Sequence, residues 1–159
     1  MASFAFVNYA RFLQRDGTAA GTAQAYQNFS VNQNRVYAGI TYAFAPFAIS
    51  SGAGSKGGDR LESTLGTSTN AITVNLFAEA VSSRWLLEIK TVALDPLTFA
   101  DNTLIRTEIW RISRYEMDNE KILLKLASPL DAARNQVPKR YLSTSLVGAV
   151  PTSATLVVS

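Results

Sequence analysis

Between Ile105 and Leu126 the sequence changes character at every second residue, on both sides of a short polar turn. Ile105, Thr107, Ile109 and Arg111 fall on one face, and Arg106, Glu108, Trp110 and Ile112 on the other. A period of two in β-branched and aromatic types belongs to a strand, because successive side chains of a strand point to opposite sides. Met117-Asp118-Asn119-Glu120 then reverses the chain into Lys121-Ile122-Leu123-Leu124-Lys125-Leu126. An Asp-Asn pair tolerates the positive φ that tight hairpin turns need. A chain built around such a hairpin must supply more strands to cover it.

Residues 36–49 supply Tyr37, Ile40, Tyr42 and Phe44 in alternation with small residues and read as strand, with Pro46 marking an edge or bend. Residues 50–70, rich in Gly, Ser and Thr, read as a long surface loop. Ile72, Val74 and Leu76 alternate with Thr73 and Asn75 as a half-buried strand, and 77–83 reads as a short helical turn. Trp85, Leu87 and Ile89 continue as strand to about Leu94, where Asp95-Pro96 ends it. Residues 9–15 and 19–27, rich in Ala and Gln, read as helical turns limited by Gly17 and Gly21. Thr155-Leu156-Val157-Val158 reads as an edge strand or an arm. The expected fold is mainly β, an antiparallel barrel or sandwich with one or two short helices. It is expected to form one domain over 1–159, with an extended C-terminal arm at 146–159.

Composition narrows function more than fold. Of the 159 residues 17% are charged, against roughly 25% in an average soluble domain, and 47% are hydrophobic. So little charge fits a subunit packed among other subunits. The chain has no cysteine and no histidine. Disulfides, thiolate metal sites, cysteine nucleophiles, the usual general base near neutral pH and the commonest metal ligand are all absent. No catalytic residue, cofactor or metal is expected. No apolar run reaches membrane-spanning length, and the apolar stretch Met1 to Val7 lacks the basic leader of a signal peptide, so the chain is expected to fold in the cytoplasm. The net charge of +3 comes from the C-terminal third, where Lys121, Lys125, Arg134, Lys139 and Arg140 face Asp131 alone. That basic end reads as a solvated surface or one facing an acidic neighbour; nucleic acid is not an expected partner.

Gly52-Ala53-Gly54-Ser55-Lys56-Gly57 matches the dinucleotide-binding glycine pattern, whose mechanism needs a helix immediately afterwards. Gly66-Thr67 cuts short any such helix, so the segment reads as a loop. Glu116, Asp118 and Glu120 surround the hairpin turn, but nothing there supports a wrapped calcium loop. Trp85 and Trp110 read as core or interface anchors. Candidate subunit contacts are the glycine segment, through Gly52, Gly54, Lys56 and Gly57, and the basic Lys139-Arg140-Tyr141.

Three further stretches point to a family. Tyr42-Ala43-Phe44-Ala45-Pro46-Phe47 precedes the glycine segment and leads to Ile72-Thr73-Val74-Asn75-Leu76-Phe77. Glu108-Ile109-Trp110-Arg111-Ile112 enters the late hairpin. Leu126-Ala127-Ser128-Pro129-Leu130-Asp131 leaves it, followed by Val137-Pro138-Lys139-Arg140-Tyr141. In this order they resemble the minor tail protein L family of long-tailed phages, over roughly residues 36–145. The resemblance implies a non-enzymatic hub or ring subunit of the virion tail tip, assembled in the host cytoplasm. It would be a homo-oligomer, with a trimer expected, joining the tail-tube side to the central tip or fibre-bearing protein. The family's cysteine-rich domain and its iron–sulfur cluster are not carried over to a chain without cysteine. Alternatives are another virion part (tail completion, neck or capsid decoration), a carbohydrate-binding module, or, last, a hydrolase with two facing carboxylates.

Overall fold

The computed structural model describes residues 5–15, 20–54 and 61–128, with the side chains of 15, 20, 51–54 and 61 excepted. Within them lie β1 (Ala5–Arg15), β2 (Ala20–Gln27), β3 (Arg35–Tyr37), β4 (Ile40–Phe44), β5 (Phe47–Gly54) and β6 (Leu61–Ser68). The helix α1 (Ala71–Ser82) follows, then β7 (Leu86–Leu94), β8 (Asp101–Met117) and β9 (Lys121–Ala127). The nine strands form one sheet in the order β3-β4-β2-β1-β7-β8-β9-β6-β5, which does not close. Among the described residues the chain is therefore mainly β with one short helix, as the sequence suggested, and the open sheet fits the sandwich rather than the barrel.

Cross-strand register explains the packing, because residues directly opposite share a face. Phe12, Leu87 and Trp110 align across β1, β7 and β8, as do Ala10, Ile89 and Glu108. This face carries the larger core, joined by Leu65, Ile112, Ile122, Leu124 and Leu126 and covered by Phe77 and Ala80 of α1. On the reverse face Val7 stands opposite Val92, and Arg11, Glu88 and Ile109 align. There the β3–β4 hairpin lays Tyr37, Ile40 and Tyr42 over Val7, Tyr9 and Val92. The centre of the sheet is thus covered on both sides.

Three local expectations change. Where they are described, at 9–15 and 20–27, the two expected helical turns are strand. Their Ala and Gln content favours helix only weakly, and covering both faces of β1 overrides it. The expected loop at 50–70 is largely a hairpin, with Phe47 opposite Thr67 and Gly54 opposite Leu61. Gly66 gives Leu123 of the neighbouring strand its space, since a Cβ there would meet the leucine side chain at 3.0 Å.

The third change is at 72–77, which is helix rather than strand. Asn70 caps it: its side chain accepts from Thr73 N–H at 2.9 Å, while Thr73 Oγ1 accepts from Asn70 N–H at 3.1 Å. This reciprocal box satisfies two amides that a helix start leaves unpaired. At the other end Trp85 N–H reaches the Ala80 carbonyl and Arg84 N–H the Val81 carbonyl. Arg84 adopts φ 54 to do so, a left-handed position that glycine usually fills.

Candidate interaction site

The reverse face of the sheet is pinned by a polar network around Tyr9. Its hydroxyl donates to Asp101 Oδ1 at 2.7 Å and accepts from Arg35 Nε at 2.9 Å. Arg35 also bonds Asp101 Oδ1 at 2.9 Å, Ser30 Oγ at 3.0 Å and the Phe99 carbonyl at 3.0 Å. The Tyr9 ring stacks on Tyr37 with centroids 4.9 Å apart. Burial pushes the Tyr9 hydroxyl well above the usual tyrosine range; Asp101, accepting its hydrogen bond, reinforces this, while Arg35 opposes it. These contacts hold a neutral tyrosine in place and offer no free base. Gln27, fully buried, donates to the Ser30 and Gln33 carbonyls and accepts from Phe29 and Ser30 N–H, so it fixes the connection after β2.

Glu88 is the buried carboxylate of the sheet centre. It lies 3.1 Å from Arg11 Nε and 3.3 Å from Lys90 Nζ. The arginine approaches off its N–H axis, so the Arg11 pair is coulombic rather than hydrogen-bonded. The two cations offset the charge that burial would otherwise leave uncompensated.

The anchored loop from Asp95 to Asp101 projects apolar groups outward. Asp95 Oδ1 accepts from Leu97 N–H, Thr98 N–H and Thr98 Oγ1, and these bonds hold its pKa below the usual carboxylate range. Phe99 takes φ 55 in this turn. The result leaves Leu97 89% exposed and Phe99 49% exposed. The exposed series continues into β8 with Leu104, Ile105 and Ile109.

The strand β8 is long enough to meet two different partners in succession. Asp101 to Arg111 pair with β7, whereas Arg111 to Met117 pair with β9. Among the described residues, no strand covers the side of 101–110 turned away from β7. Backbone groups on such an edge are ready to pair with another chain. This edge, with its exposed apolar side chains, is the candidate interaction site.

Two concavities lie elsewhere. An apolar cleft of about 240 Å³ opens between the start of α1 and the β4–β5 bend, lined among others by Phe12, Tyr26, Pro46, Phe47, Ile72 and Phe77. A polar groove of about 500 Å³ is lined by Ser50, Glu62, Thr64, Ser113, Arg114 and Lys125, with Glu62 the one carboxylate among the described lining residues.

The sequence candidates fall mostly away from these features. Gly52 and Gly54 lie on β5, the last strand of the sheet, and the chain returns as the strand β6. The helix needed for dinucleotide binding is therefore replaced by a hairpin. Lys56, Gly57, Lys139, Arg140 and Tyr141, the arm at 146–159 and the strand at 155–158 lie outside the described residues. Glu116 pairs with Arg114 at 3.1 Å and Lys125 at 3.4 Å, and no group of metal-ligating side chains gathers among the described residues. Trp85 and Trp110 are both core residues. The exposed β8 edge escaped sequence reading because alternation reveals faces, not which edge finds a partner. No protein-family model matches this chain, and no curated protein matches it.

Proposed function

We propose that the chain is a structural subunit of a bacteriophage tail tip, an assembly protein rather than an enzyme. It would bind further copies of itself and the distal tail and hub proteins of the same virion. The observation carrying the reading is the run of exposed apolar side chains at Leu97, Phe99, Leu104, Ile105 and Ile109 beside a strand edge that no described strand covers. Surface of this kind marks protein contact, and the ordered motifs between residues 36 and 145 supply the virion context. One motif departs from the expected pattern, since 72–77 is helical here. The carbohydrate-binding alternative loses its two tryptophans as a platform, because both lie in the core.

Cryo-electron microscopy of particles carrying this chain tests the reading. A ring of this subunit between the tail tube and the tip is the expected result. Its presence only at the neck or capsid would overturn the tail-tip assignment in favour of another virion part. Absence from every particle would end the virion reading.

A further inference from the structure

The geometry points to a second copy of this chain as the occupant of the β8 edge that no described strand covers, paired antiparallel about a two-fold axis through Thr107. The observation is the sequence of the edge itself. Ile105-Arg106-Thr107-Glu108-Ile109 reads with matching chemistry in both directions once charge sign is exchanged. Two such strands centred on Thr107 place each Arg106 opposite Glu108 of the other copy. On the alternate face each Ile105 meets an Ile109, and the two Thr107 residues meet each other. Every cross-strand pair is then favourable, whether apolar, hydroxyl or opposite in charge.

Other two-fold registers lose this match. Shifting the opposed positions by one sets Arg106 against Thr107 and Glu108 against Ile105, mixing polar with apolar. Moving the axis to Arg106 or Glu108 brings like charges together. Ile105, Thr107 and Ile109 are exposed and Arg106 is half exposed, while the Glu108 side chain is 24% exposed and its Oε2 accepts from Trp110 Nε1 at 3.4 Å. Within one copy Arg106 and Glu108 lie 3.5 Å apart, so pairing exchanges two internal contacts, one in each copy, for two between copies. The β7 register is unbroken from Arg106 to Arg111, which holds most of the edge straight, and its shift at Ile105 ends the regular window. The contact is isologous and joins copies in twos; a three-fold ring would need a different surface to close. This inference rests on the edge alone and stands apart from the tail-tip reading.

Sedimentation of the full chain across a concentration series tests it. A monomer–dimer equilibrium is expected, weakened about tenfold by R106E and equally by E108R, since each turns two attractive pairs repulsive. An equimolar mixture of the two variants pairs again, because one contributes only acidic and the other only basic groups. R106E/E108R in one chain restores self-pairing. Circular dichroism confirms that each variant is folded. Dimers indifferent to these exchanges, failure of the mixture to associate, or a chain that remains monomeric throughout would each overturn the proposal. So would full amide protection of residues 105–109 in the dilute monomer, which would mean that the chain covers its own edge.

Discussion

The strands β7 and β8 are neighbours, share a long register and alternate in much the same way, yet their environments differ. On β7, Leu87 and Ile89 are buried in the larger core, and Glu88 and Val92 are buried on the reverse face. On the first half of β8, only Trp110 is buried, while Leu104, Ile105 and Ile109 face outward. The difference comes from what each strand has beside and above it. A strand flanked on both edges and covered on both faces turns most of its apolar side chains into core. One with a free edge leaves the same residue types available to a partner.

Truncation should separate the two strands most strongly. L87A and I89A each cost about 2–5 kcal/mol by urea unfolding, the range for buried aliphatics cut to alanine. I105A and I109A are expected to stay within about 1 kcal/mol at concentrations where the chain is monomeric. Equal costs on the two strands would break the comparison.

The buried charge on β7 gives the next effect. E88A leaves Arg11 facing a vacated site and should cost about 2–3 kcal/mol. Replacing both partners, in R11M/E88L, should recover most of that loss, because a well-packed apolar pair avoids desolvating two charges. A double variant as unstable as E88A would show that Lys90 and the surrounding packing depend on the carboxylate itself.

Tyrosine titration extends the comparison to both faces of the sheet. Burial holds the hydroxyls of Tyr9, Tyr26 and Tyr42 above the usual range. A raised folded pKa contributes stability that is fully present below the ordinary value of about 10 and is lost as pH rises above it. Ultraviolet absorbance should therefore show these phenolates appearing together with the loss of near-ultraviolet circular dichroism. Ionisation of all six tyrosines before any unfolding would contradict the burial of Tyr9 and Tyr42.

The smallest effect lies at the entry to β7. R84G removes a side chain from a left-handed helix terminus and should stabilise by about 0.5–1 kcal/mol, read as a higher denaturation midpoint. A loss instead would mean that the Arg84 side chain contributes packing exceeding the backbone relief.

How much of this was legible depended on whether the relevant force was local. The β8–β9 hairpin was plain because alternation and turn chemistry agree within one stretch of chain. The helix was not: Ile72, Val74 and Leu76 imitate a strand, and the deciding Asn70–Thr73 cap involves residue types equally common in turns. Likewise, β1 concealed itself behind alanines because its apolar character is split between two faces that distant elements cover. The glycine segment was readable as an unlikely cofactor loop but not as part of a hairpin, since its pairing depends on β6. The candidate edge required knowing where β9 stops, at the Arg111–Ala127 pairing, which no pattern in β8 announces.

The position of β9 also sets an order of events. It lies between β8 and β6, so Ser68 must wait for Lys121 and Glu62 for Ala127 before the two parts of the sheet join. On a growing chain, β6 leaves the ribosome long before the strand that completes it, and such distant closures are slow steps in folding. The seam between them, Leu65 against Leu124, is expected to be among the last to gain amide protection during refolding.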